Sequence, residues 1–220
     1  MLNPDTYVDV LEKATYRTFA FRGTTRAEAE SWQREFRPEL KRLLGIDAIE
    51  KHGPPPMTAR LISTTQLDDH VREEWTLETE PGFHVPFYYL KPLNMKGPTP
   101  LVLAPHGHNK RSKEDYAGVY PSEEHQKDIE ANDRDIGVQA VRAGYVVIAP
   151  EVRGFASLRR QKEIDADANN SCRTMQMHAL LFGRTLIGER VWDIMRLIDW
   201  ALTKEEVNPN AIICTGNSGG

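Results

Sequence analysis

Five residues of the 220-residue sequence, Gly216-Asn217-Ser218-Gly219-Gly220, spell G-x-S-x-G, and they follow the apolar run Ala211-Ile212-Ile213-Cys214-Thr215. A buried strand running into a small-residue turn with a serine at its apex exposes a hydroxyl for attack on an acyl carbon. Gly216 and Gly220 leave room for the turn, and Gly219 lets its backbone N–H approach a negatively charged oxygen. Ser218 is therefore a candidate nucleophile, and hydrolysis through an acyl-enzyme is the chemistry suggested. The competing reading is a flexible tail, so the match depends on the elements that precede it.

Two other short stretches stand at comparable places. His106-Gly107-His108-Asn109 follows the apolar run Leu101 to Pro105, and Glu151-Val152-Arg153-Gly154 follows Tyr145 to Pro150. Two histidines in one loop would be half of a metal site, but no H-E-x-x-H or comparable partner supplies the other ligands. No metal and no cofactor are expected, and His106 and His108 read as support for the loop. His178 reads as a packed or exposed helix residue, and Arg153, Arg159 and Arg160 as a solvated turn. Cys172 and Cys214 lack C-x-x-C spacing, and Cys214, inside the most apolar strand, reads as a small buried hydrophobe.

These stretches are positioned by a recognisable series of elements. Thr25 and Glu28 form a capping box, and Trp32, Phe36, Leu40 and Leu43 recur at helical spacing. Pro38 predicts a kink or a second short helix ended by Gly45. Gly53-Pro54-Pro55-Pro56 is a stiff connector. Alternation of Val71, Trp75 and Leu77, then of Val85, Phe87 and Tyr89, around Pro81-Gly82 predicts an antiparallel strand pair with one buried face. Continuous apolar runs at 101–105, 145–149 and 211–215 read as strands buried on both faces of a parallel sheet. Between them, helices are predicted from Ile136 to Gly144, after Ser171, and from Glu189 to Leu202. The last places Glu189, Asp193, Arg196 and Asp199 on its polar face.

Composition narrows the partners. Hydrophobic residues make up 40%, and 28 basic and 32 acidic residues are interspersed to a net charge of −4, so no basic face predicts nucleic acid. No apolar run reaches signal-peptide or membrane-spanning length, which predicts a cytoplasmic protein without membrane association. Nothing fixes the oligomeric state.

The order of elements, with His106-Gly107, Glu151 to Gly154 and Gly216 to Gly220 after successive strands, resembles the α/β-hydrolase superfamily, in its dienelactone-hydrolase-like and acetyl-xylan-esterase-like group. The likeness covers residues 70–220. It implies an α/β-hydrolase fold: a mostly parallel sheet with an antiparallel N-terminal strand pair and a helical N-terminal extension. The extension is placed at 1–65 and the hydrolase portion at 66–220. Relatives often carry an aspartate where this chain has Glu151, and a glycine where it has Ala156; Glu151 reads as a support of its turn. The resemblance further implies an oxyanion hole formed by the backbone N–H groups of His108 and Gly219, and a small-molecule ester substrate, an acylated carbohydrate being one possibility.

In the superfamily an acid and then a histidine follow the serine in chain order. The expectation is accordingly an esterase truncated after the nucleophile elbow, inactive as residues 1–220 alone, with strand 211–215 left as an open apolar edge. The alternatives are a catalytically inactive hydrolase-fold protein used for binding and, among enzymes, a lactone hydrolase or an acyl peptidase.

Overall fold

Alternation of apolar side chains along the strands builds two cores, one on each face of a single sheet. The computed structural model describes residues 3–220, so residues 1 and 2 of the expected extension lie outside the described residues. The chain divides into two compact units, residues 1–43 and 44–220.

The first unit holds α1 (Pro4–Ala14) and all but the last residue of α2 (Arg26–Leu44). The capping box forms: Glu28 Oε2 accepts from the Thr25 N–H at 2.9 Å, and Thr25 Oγ1 accepts from the Glu28 N–H at 3.3 Å. Phe19, Phe21, Trp32 and Phe36 pack with ring centroids 5.0–5.5 Å apart. Helix α2 runs through Pro38 without a second helix beginning there. Proline deletes a single helical N–H, and the bonds on either side of it continue the helix.

The second unit contains, in order, α3 (Ile46–Glu50), β1 (Ala59–Gln66), β2 (His70–Glu80), β3 (Phe83–Pro92) and β4 (Thr99–Leu103). Then come α4 (Lys113–Tyr116), α5 (Glu123–Ala131), α6 (Ile136–Arg142), β5 (Val146–Pro150), α7 (Gln161–Asp165), α8 (Cys172–Leu181), α9 (Leu186–Ala201) and β6 (Val207–Cys214). The strand order is β1-β2-β3-β5-β4-β6. The sheet is mixed: β4 is parallel to β5 and β6, whereas β1–β2, β2–β3 and β3–β5 are antiparallel. Strand β1 adds to the expected pair and lies inside the stretch expected to be helical extension. Mostly exposed, it is held by its ladder to β2 instead of by a buried face.

On one face Phe87, Tyr89, Leu101, Leu103 and Ile148 pack against Leu197 and Trp200 of α9. Trp200 meets the rings of Trp75, Phe87 and Tyr89 at 5.2, 4.8 and 5.2 Å. On the other face Tyr88, Leu90, Val102 and Val147 pack against Tyr116 and Val141. Each fully buried side chain of this size contributes about 1.5–3 kcal/mol. The crossovers from β4 to β5 and from β5 to β6 carry α6 and α9, so the ends of all three parallel strands open onto the same side.

Strand β6 is an edge of the sheet, and Cys214 on it is exposed, contrary to the buried position its apolar neighbours suggest. An edge strand is covered on one side only, so an apolar run does not by itself bury each residue. Among the described residues, no helix is long and apolar enough to cross a membrane.

Candidate active site

The three sequence stretches meet at the C-terminal ends of β4, β5 and β6. The Thr215 N–H donates to Leu103 O at 2.9 Å, carrying the β4–β6 ladder one step past β6. The chain then reverses, and the Gly220 N–H donates to Asn217 O at 2.9 Å. Ser218 sits at the apex with φ of 54°, a left-handed conformation that costs a serine on the order of 1–3 kcal/mol. A Cβ on Gly216 would overlap the Gly220 carbonyl, so the turn closes on itself there.

Gly107 lies against this turn: a Cβ on it would come 2.7 Å from Asn217 O and 3.1 Å from Ser218 Cβ. His108 flanks the other side, its Nδ1 2.8 Å from where a Gly219 Cβ would sit. Gly107, His108, Asp115, Tyr116, Arg134 and Ser218 help to line a cavity of about 140 Å³. Among the described residues, neither the His108 nor the Gly219 backbone N–H has a hydrogen-bond partner.

His106 is fully buried. The Val152 N–H donates to its Nε2 at 3.0 Å, Ser112 Oγ lies 2.6 Å from the same nitrogen, and Nδ1 lies 2.7 Å from Gly107 O. A nitrogen that accepts from a backbone N–H is unprotonated, which places the ring proton on Nδ1. Burial agrees, pushing the imidazole down to about 4, against the pull of its bond to Gly107. Both ring nitrogens are thus engaged inside the protein.

Glu151 supports its own turn. Its Oε1 accepts from Ser157 N–H at 2.7 Å, Ser157 Oγ at 2.5 Å and Leu158 N–H at 3.1 Å, and its Oε2 lies 3.4 Å from Lys113 Nζ. Arg153 departs from the expected solvated turn: only 5% exposed, it donates to Asp193 through Nε at 2.6 Å and Nη2 at 2.8 Å. Nη2 also reaches Glu80 at 2.7 Å, and Thr79 Oγ1 donates to Asp193 at 2.6 Å. Burial opposes the arginine's charge, but these carboxylates outweigh it and raise its pKa. Asp193 and Glu189 are consequently buried on α9 and do not form a solvated face. Arg159 is likewise tied down, to Ala156 O at 2.9 Å and to Ala168 O.

Two residues that sequence reasoning passed over, Arg190 and Ser112, lie here. Arg190 on α9 donates to Arg153 O at 2.7 Å and to Cys172 Sγ at 3.2 Å, and Cys172 Sγ lies 3.8 Å from His108 Nε2. Ser112 holds a φ of 57°, with its N–H donated to Asn109 Oδ1. Only its place in the polar lip after His106 marks it in sequence. His178 is exposed. Among the described residues, no group of three or more His, Cys, Asp or Glu side chains could hold a metal ion.

A sheet with parallel crossovers, helices on both faces and a serine turn past one strand defines an α/β hydrolase. The chain belongs to the Abhydrolase family, whose model matches residues 5–220. It is 24% identical over 186 residues to the candidate hydrolase YtaP of Bacillus subtilis (strain 168), which covers 84% of this chain and 56% of that protein. A candidate acetyl xylan esterase from Bacteroides fragilis NCTC 9343 has the same fold, with a TM-score of 0.79 and 20% identity over 100% of this chain and 55% of its own. Methylesterase BT1017 aligns with a TM-score of 0.65 and 20% identity, over 98% of this chain and 39% of its own. The chain spans about half the length of the first two relatives and less of the third.

Proposed function

We propose that the complete protein is a serine esterase whose nucleophile is Ser218. The observation that carries the reading is the left-handed serine at the apex of the turn after β6, packed against the Gly107 backbone. In the reaction Ser218 Oγ bonds to the ester carbonyl carbon while its proton passes to a general base, and the carbonyl oxygen becomes an oxyanion. The His108 and Gly219 N–H groups, free of other partners, are the donors that receive it; one such donor is typically worth about 10²–10³ in turnover. Collapse expels the alcohol, which takes up the proton, and water then releases the acid and restores Ser218. No residue of 1–220 is assigned as the base or as its acid partner.

The substrate proposed is a small ester of the acetyl type, and an acylated carbohydrate is favoured by the fold shared with an acetyl xylan esterase candidate. The test is hydrolysis of 4-nitrophenyl acetate by the complete protein. A burst of one nitrophenolate per chain is expected, and Ser218→Ala should lower kcat by about 10⁶, the loss seen when a triad nucleophile is removed. Turnover unaffected by the substitution would contradict the assignment.

A further inference from the structure

The oxyanion donor assigned to His108 is a single backbone N–H in a loop, and its direction depends on how the 107–108 peptide is turned. A trans peptide is planar, so its C=O and N–H point in opposite directions, and fixing one fixes the other. The Gly107 carbonyl is held by two donors, His106 Nδ1–H at 2.7 Å and the Asn109 N–H at 3.0 Å. Its orientation is therefore set on the side away from the His108 N–H.

The proton that His106 gives to Gly107 is fixed from the far side of the ring. The Val152 N–H, on the loop after β5, occupies Nε2, and the buried Ser112 hydroxyl joins it. Phe155 packs edge-on against the ring at 5.1 Å and against the His108 ring at 4.9 Å. The chain of contacts runs from the β5 loop, through His106, to the peptide that faces the Ser218 turn.

Resting on the esterase reading above, we propose that His106 is a positioning residue. Its Nδ1–H, held in that tautomer by Val152 and Ser112, locks the 107–108 peptide so that the His108 N–H is presented to the oxyanion.

The two conservative replacements separate this role from simple bridging. Asparagine can place an amide N–H near the position of Nδ1 while losing the acceptor at Nε2; glutamine reaches the position of Nε2 and loses the donor to Gly107. On 4-nitrophenyl acetate, His106→Gln is expected to lower kcat about 10–100-fold at unchanged KM, a part of the roughly 10²–10³ that outright donor removal costs. His106→Asn, which keeps the donor to Gly107 and loses the acceptor toward Val152, should lose measurably less kcat than His106→Gln. The reverse order, or equal losses, would overturn the proposal and assign His106 to bridging the two loops. Wild-type turnover abolished by Ser218→Ala leaves the esterase reading standing in that case. Should either variant fail to fold, nitrogen NMR of the wild-type protein decides: the account requires the proton on Nδ1 of His106, and an Nε2–H tautomer overturns it.

Discussion

Ser218 holds a left-handed backbone and His106 a pKa pushed down by burial, and both adjoin the same turn. For His106 the consequence is measurable in stability. Its folded pKa of about 4 lies below the unfolded value near 6.5, so between these pH values the unfolded chain binds the extra proton. Stability is complete above about pH 6.5 and is lost as pH falls toward 4, by about 3 kcal/mol for this group alone. His70, also depressed by burial, acts in the same direction. Denaturant titrations at pH 7 and pH 4.5 should give a smaller loss for His106→Asn than for wild type. An equal loss would place the acid sensitivity elsewhere. Gly107 supplies a second residue-level test, because a methyl there would meet Asn217 O at 2.7 Å. Gly107→Ala should cut esterase kcat more than tenfold and lower the thermal midpoint, whereas unchanged turnover would separate the loop from the turn.

At the scale of elements, α9 is tied to the loop after β5 by a buried ion network. Removing one partner of such a pair leaves an uncompensated charge and typically costs about 3–5 kcal/mol. Asp193→Ala, which removes two hydrogen bonds from Arg153 but leaves it paired with Glu80 and Glu189, should lower the unfolding free energy measured by urea titration by less than that range. Asp193→Asn, able to accept one of the two arginine hydrogen bonds, should cost less. A change below 1 kcal/mol in both would show the network to be dispensable. This network also explains what sequence could and could not reveal. Helices α6 and α9 and strands β2 and β3 carry periodicities, β4 and β5 carry continuous apolar runs, and all sit close to their predicted places. Asp193 was on the polar side of an amphipathic pattern, and its partners lie 40 residues away at Arg153 and 114 away at Thr79. Periodicity shows which face is polar but not whether a distant charge covers it. Strand β1 escaped for the opposite reason: Ala59 to Gln66 lacks clean alternation, and its order comes from pairing with β2.

For the whole molecule, the sheet brings three loops from three separate parts of the sequence to one edge, and that convergence is what turns a five-residue motif into a candidate site. The serine, the His108 loop and the Glu151 turn were legible because each follows an apolar strand. The tautomer of His106 and the strained Ser112 were not, since both depend on contacts between those loops. The central claim is that Ser218 is the nucleophile, and covalent labelling reads it directly. The complete protein exposed to a fluorophosphonate should gain one phosphonyl group, mapped by mass spectrometry to the peptide containing Ser218, and Ser218→Ala should gain none. Labelling at another residue, or labelling undiminished in Ser218→Ala, would contradict the account.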